Sequence, residues 1–189
     1  MTFKGQKILP AVRSMKEFDK MLQTNYEYGV FLDLHIGMLN TVYQYAKENN
    51  RKMFLHLDLI QGLKGDEYGA QYVCQEIKPY GIISTKGNAI QQAKKKGVVA
   101  IQRAFVLDSS AMERSMELVK HSNPDYVELL PGVIPKVIKT IKTETGKPVF
   151  AGGLIDTVNE VEEAIEAGAS AITTSNRELW KHFNPDKEI

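Results

Sequence analysis

Eight short apolar runs, each followed by a stretch of helical period, divide the chain from end to end. The runs are ILPAVR (8–13), YGVFLDLHI (28–36), KMFLHLDLI (52–60), GIIST (81–85), VVAIQRAF (98–105), YVELLPG (126–132), PVFAGG (148–153) and SAITTS (170–175). Each is short and rich in β-branched or other apolar residues, as a strand requires. Amphipathic stretches such as MKEFDKMLQ (15–23), EYGAQYVCQEI (67–77), AMERSMELVK (111–120) and EVEEAIEAG (160–168) separate them. Strands alternating with helices must pair in parallel. Eight such units predict a (β/α)8 TIM-type barrel, with a doubly wound sheet as the runner-up. The 189 residues are short for a barrel, which typically needs about 250, so the units must be compact. No linker or low-complexity segment interrupts them, and the expectation is one ligand-sensing domain over 1–189.

Helix starts follow the strands. Ser or Thr followed three residues on by Glu occurs as Ser14/Glu17, Ser110/Glu113, Thr157/Glu160 and Ser175/Glu178, a spacing in which each side chain can cap the other's backbone. Gly97, Gly146 and Gly168 stand where helices should stop.

Parallel strands covered on both sides normally read as continuous apolar runs. Here Asp33, His35, His56, Asp58 and Glu128 break that pattern. Side chains alternate along a strand. In the second strand the aliphatic face is Val30, Leu32, Leu34 and Ile36, opposite Phe31, Asp33 and His35. In the third, Met53, Leu55, Leu57 and Leu59 oppose Phe54, His56 and Asp58. In the sixth, Val127 and Leu129 oppose Tyr126, Glu128 and Leu130. The aliphatic faces are expected to pack on helices and the polar ones to point into the barrel. A buried charge is costly without a partner, so Arg13, Asp33, His35, Asp58, Arg103 and Glu128 are read as a polar pocket at the C-terminal ends of the strands.

Two glycines, Gly152 and Gly153, end the seventh run, and Thr174, Ser175 and Asn176 end the eighth, just before RELW. Loops after strands 7 and 8 of a barrel often hold a phosphate, using exposed amides, hydroxyls and a helix start. A phosphate end facing a carboxylate end suits a small phosphorylated polyol or sugar. Asp58 and Glu128 could serve an isomerase or lyase as an acid–base pair. Apart from boundary residues such as Lys52 and Lys86 the strands lack a lysine for a Schiff base, and although Asp33, His35 and Asp58 could hold a divalent metal, H-x-x-E-H-type spacings are absent, so neither a cofactor nor a metal is expected. The residues alone leave enzyme and binding protein both open.

Composition limits the partners. The net charge is only +1, so no global field attracts nucleic acid or a membrane, and an RNA site would have to be a local patch. Cys74 is the single cysteine, and no run approaches the length of a membrane span. The expected location is the cytoplasm.

ILPAVR, HLDLIQGLKGDEYG, GIISTKGNAIQQAKKKG, AIQRAFVLDS, YVELLPGVIPKVI and AGGLIDTVNEV…ITTSNRELW together resemble the glycerol uptake operon antiterminator regulatory protein (GlpP) family of Gram-positive bacteria. The resemblance spans nearly the whole chain. It implies a non-enzymatic regulator that senses glycerol-3-phosphate and acts on leader mRNA of glycerol-utilisation genes to prevent premature termination. It also implies phosphate on Gly152, Gly153, Ser175 and Asn176, hydroxyls on Asp33, Asp58 and Glu128, and charge balance from Arg13 or Arg103. For RNA, the sequence offers Lys94, Lys95 and Lys96, and Lys136, Lys139 and Lys142 on one face of a helix. A homo-oligomer is compatible with the sequence, and a regulator acting through a protein partner is a weaker alternative.

Overall fold

The alternation closes into a ring. The computed structural model describes residue 3 and residues 5–185. Its strands are β1 (Ile8–Val12), β2 (Tyr28–Phe31), β3 (Lys52–His56), β4 (Gly81–Ser84), β5 (Val99–Phe105), β6 (Tyr126–Leu130), β7 (Val149–Gly152) and β8 (Ala169–Thr174). The helices between and after them are α1 (Met15–Leu22), α2 (Leu39–Glu48), α3 (Glu67–Tyr72), α4 (Gly87–Lys95), α5 (Ser109–Ser122), α6 (Pro135–Thr145), α7 (Val158–Glu166) and α8 (Arg177–His182). All neighbouring strands pair in parallel, and β8 closes on β1 through Ile8–Ile172 and Leu9–Thr173.

Two apolar cores follow from the alternation. Residues such as Leu55, Ile82, Val127 and Ile172 face outward and meet the helices. Leu9, Val30, Phe54, Ile83, Ile101, Tyr126, Phe150 and Ala171 face inward. Phe3 enters the N-terminal end of the barrel and packs on Tyr28, Tyr126 and Phe150 with ring centroids 5.2, 5.5 and 5.4 Å away. This aromatic plug seals one end. Toward the other end the inward positions turn polar, with His56, Arg103, Glu128 and Thr173 following the apolar layers.

The expected facing holds for β3 and β6 and is reversed in β2. Val30 and Leu32 belong to the interior, while Phe31 points outward and packs on Phe18 of α1 and Tyr43 of α2, at 4.9 and 5.4 Å between rings. The reason is that β2 ends at Phe31. Asp33 and His35, which suggested the inward face, lie past the strand, where alternation carries no information. The long second and third apolar runs end in single 3-10 turns, Ile36–Met38 and Leu57–Leu59, rather than continuing as strand.

Two caps also differ. Thr157/Glu160 forms the full reciprocal box, and Ser14 caps α1 while Glu17 accepts from the Arg13 N–H. Asp108, not Ser110, caps α5, and Asn176, not Ser175, caps α8. In both cases an Asp or Asn near the Ser, with an equal or better capping side chain, takes the position. No helix among the described residues is long and apolar enough to cross a membrane.

Candidate functional site

A cavity of about 500 Å³ opens at the C-terminal ends of the strands. Arg103 and Glu128 form its charged floor. Arg103 Nε donates to Glu128 Oε2 at 2.7 Å, and the two side chains are 14% and 1% exposed. The other carboxylate oxygen, Oε1, accepts from the Thr173 hydroxyl at 2.8 Å. A buried carboxylate needs such partners, and each of its oxygens still has room for another donor.

The Thr173 bond spans from β8 to β6 over β7. It passes where Gly152 stands: a Cβ there would lie 2.3 Å from Thr173 Oγ1 and 3.6 Å from Glu128 Oε1. Gly152 is buried, so its role in the structure is to let these two groups meet beneath the pocket. Gly153 is the exposed member of the pair. Its φ of +72° gives the β7–α7 loop a left-handed turn that a side chain would strain, and it lines the cavity. Thr174, Ser175 and Asn176 line the same wall from β8. Thr174 Oγ1 accepts the Asn176 N–H at 3.1 Å, and Asn176 Nδ2 reaches Asp156 O at 3.2 Å, which ties the two loops together. The loops after β7 and β8 thus line one rim of the cavity.

The remaining candidates separate. Arg13 lines the cavity and pairs with Asp33 at 3.1 Å, but Asp33 itself is not part of the lining. His35 is exposed and uses Nδ1 to accept from the Gly37 N–H at 3.1 Å, capping a 3-10 turn. Asp58 is engaged elsewhere: Ser84 Oγ, Thr85 N and Thr85 Oγ1 donate to it at 2.6, 2.7 and 2.8 Å. It fastens β3 to the start of α4 and does not line the cavity. Asp33, His35 and Asp58 are thus corrected as pocket residues, for the common reason that the chain has left the strand before reaching them. Lys94 pairs with Asp125, while Lys136, Lys139 and Lys142 share one face of α6.

Thr173 and His56 are functional candidates beyond the predicted pocket list. Alternation from Ala171 and from Phe54 marks both as inward. His56 is 2% exposed, and neither ring nitrogen has a partner. Burial, assisted by the nearby Arg103 charge and opposed by Glu128 and Asp58, pushes its pKa down to about 4. Its imidazole is therefore neutral near pH 7, with one donor and one acceptor available. Among the described residues no group of three or more His, Cys, Asp or Glu side chains could hold a metal ion.

The fold and this cavity define a (β/α)8 barrel with a ligand-sized polar pocket at its C-terminal rim, floored by a buried ion pair. The chain belongs to the glycerol-3-phosphate responsive antiterminator family, whose model matches residues 8–180. It is 43% identical to the glycerol uptake operon antiterminator regulatory protein of Listeria monocytogenes, covering 96% of this chain and 98% of that one, with a TM-score of 0.93. A glycerol uptake operon antiterminator-related protein of Thermotoga maritima is 34% identical over 93% of this chain and 98% of its own, with a TM-score of 0.80. Deoxyribose-phosphate aldolase from Aeropyrum pernix, 17% identical over 90% of this chain and 86% of its own at a TM-score of 0.66, shares the fold alone.

Proposed function

We propose that the C-terminal pocket is the effector site of an antiterminator, taking glycerol-3-phosphate and thereby controlling association with the leader mRNA of glycerol-utilisation genes. The observation that carries this reading is the buried Arg103–Glu128 pair beneath a rim built by Gly153, Ser175 and Asn176. Glu128 is placed to accept from glycerol hydroxyls. The β7 and β8 loops are placed to take the phosphate, with the amide of Gly153 and the side chains of Ser175 and Asn176 as donors, and Arg13 and Arg103 offset the anion's charge.

A binding role is favoured over turnover. The acid–base pair that a phosphosugar enzyme would need, Asp58 and Glu128, does not converge on one cavity, because Asp58 is held by Ser84 and Thr85. The chain's single tryptophan gives a direct test. Trp180 is buried, and its indole N–H donates to Thr174 O at 2.8 Å, directly behind the pocket wall. Glycerol-3-phosphate should change Trp180 emission saturably at sub-millimolar concentration, whereas glycerol should not. An unchanged spectrum together with consumption of a phosphorylated triose would favour the enzyme instead.

A further inference from the structure

At the opposite, N-terminal end of the barrel, a groove of about 1140 Å³ opens beside the loops that lead into β2, β3 and β4. It carries Lys47, Arg51, Lys52 and Lys78 against one lining carboxylate, Glu27, with amide side chains and Tyr43 and Tyr80 between them. We propose that this groove is the surface on which the leader RNA docks, a placement that rests on the antiterminator function proposed for the chain.

Charge favours this end. The whole chain is only +1, yet the groove's lining holds four cations against one carboxylate, with Glu48 and Glu76 exposed nearby. All the α-helices except α3 and α7 carry Lys or His in the last turn, and every helix of the barrel points its C-terminus this way. A polyanion gains its affinity from such a field.

Lysine at a helix end also has an ordinary cause, its interaction with the helix dipole. That cause does not account for Lys78. It ends the π-helical turn Val73–Ile77 in the left-handed region, at φ 53° and ψ 55°. The chain's other left-handed helix ends are filled by Asn50, Asn123, Gly97, Gly146 and Gly168, residues that tolerate it. A lysine there strains the backbone where glycine would not. Its side chain is exposed, so packing does not offset the strain.

The groove also has fixed and free parts. Lys52 is held by Glu27 and Tyr28 at 2.6 and 3.2 Å, and Arg51 by the carbonyls of Leu22 and Thr24 at 3.3 and 3.1 Å. Lys47 and Lys78 are exposed and form no ion pair among the described residues. They stand free to meet phosphates, while Asn40, Gln44 and Asn50 offer hydrogen bonds along the same wall. The lysines of α6 are exposed on one helix face and do not line this groove.

β3 joins the two ends of the molecule. Lys52 begins it at the groove, Phe54 continues it through the aromatic plug, and His56 ends it beneath the effector pocket. Any tightening of β3 by ligand would be felt by both sites, and linkage makes the effect reciprocal.

The test compares Lys47→Ala/Lys78→Ala with Lys136→Ala/Lys139→Ala, using a fluorescein-labelled leader transcript of a glycerol-utilisation operon and saturating glycerol-3-phosphate. The groove variant should lose more than tenfold in affinity, and its salt slope should fall by about 1.4, roughly 0.7 for each phosphate no longer neutralised. The α6 variant should stay within twofold of wild type. Calorimetry should find glycerol-3-phosphate affinity unchanged in both. Thiouridine cross-links should map to residues 40–52 and 76–80. Unchanged affinity in the groove variant, or cross-links confined to α6, overturns the groove while leaving the effector site standing. Wild-type protein that binds no leader transcript at any effector concentration overturns the antiterminator function and the groove together.

Discussion

Arg103 Nε lies 2.7 Å from Glu128 Oε2, between adjacent strands and at the cavity floor. A pair this buried is costly to form and more costly to break, because removing one member strands the other. Glu128→Ala should therefore destabilise the fold by about 3–5 kcal/mol in urea unfolding. Glu128→Gln keeps the shape and loses the charge, so it should cost about 2 kcal/mol and leave a folded protein for binding work.

Gly152 and Gly153 should separate in their effects. Gly152→Ala drives a methyl group into Thr173 Oγ1 and disturbs its bond to Glu128, at about 1–3 kcal/mol of stability. Adding Thr173→Ala removes the clash, so the double variant should be more stable than the two separate losses predict. Gly153→Ala meets Leu130 at 3.3 Å and a left-handed backbone, costing about 1 kcal/mol. Its main effect should be on phosphate affinity. Thermal melts and effector titrations on the same samples distinguish the two.

His56 predicts a pH dependence with a definite sign. Its folded pKa of about 4 lies below the unfolded value near 6.5, so the unfolded chain binds the proton first. Its contribution is fully present above about pH 6.5, is lost as pH falls toward about 4, and changes no further below that. The full loss amounts to about 3 kcal/mol. Urea unfolding between these limits should show a shallower acid limb in His56→Gln than in wild type.

Cys74 should be inert. It is buried on the inner side of the π-helical turn, and burial pushes its thiol up to about 11, against a smaller opposing pull from Lys96. At pH 8 its thiolate fraction is on the order of a thousandth, so an aromatic disulfide reagent should react more than a hundredfold slower with native protein than with protein in guanidinium.

The barrel was legible because it is written in alternation, which every strand repeats over its own few residues. The same signal placed Glu128 inward, and the glycine and hydroxyl cluster placed the β7 and β8 loops at one rim. It failed at Asp33, His35 and Asp58. Those residues lie past the ends of β2 and β3, where direction is set by 3-10 turns and local hydrogen bonds that the run of apolar letters conceals. Gly152 shows another limit. Its need for glycine comes from Thr173 and Glu128, on strands far apart in sequence, and so appears only once the ring is closed. The N-terminal groove was equally hidden, since Lys47, Arg51 and Lys52 read only as an ordinary helix end and strand start, and Lys78 joins them only once the fold brings the end of the next helical segment alongside.

Isothermal titration of wild type and Glu128→Gln with glycerol-3-phosphate, glycerol and inorganic phosphate tests the effector pocket most directly. Wild type should bind glycerol-3-phosphate at least a hundredfold more tightly than either fragment. Glu128→Gln, still folded, should lose tenfold or more for glycerol-3-phosphate while its weak binding of phosphate stays the same. Equal glycerol-3-phosphate affinity in the two proteins, or no heat at millimolar effector, would contradict the placement of the effector above the Arg103–Glu128 pair.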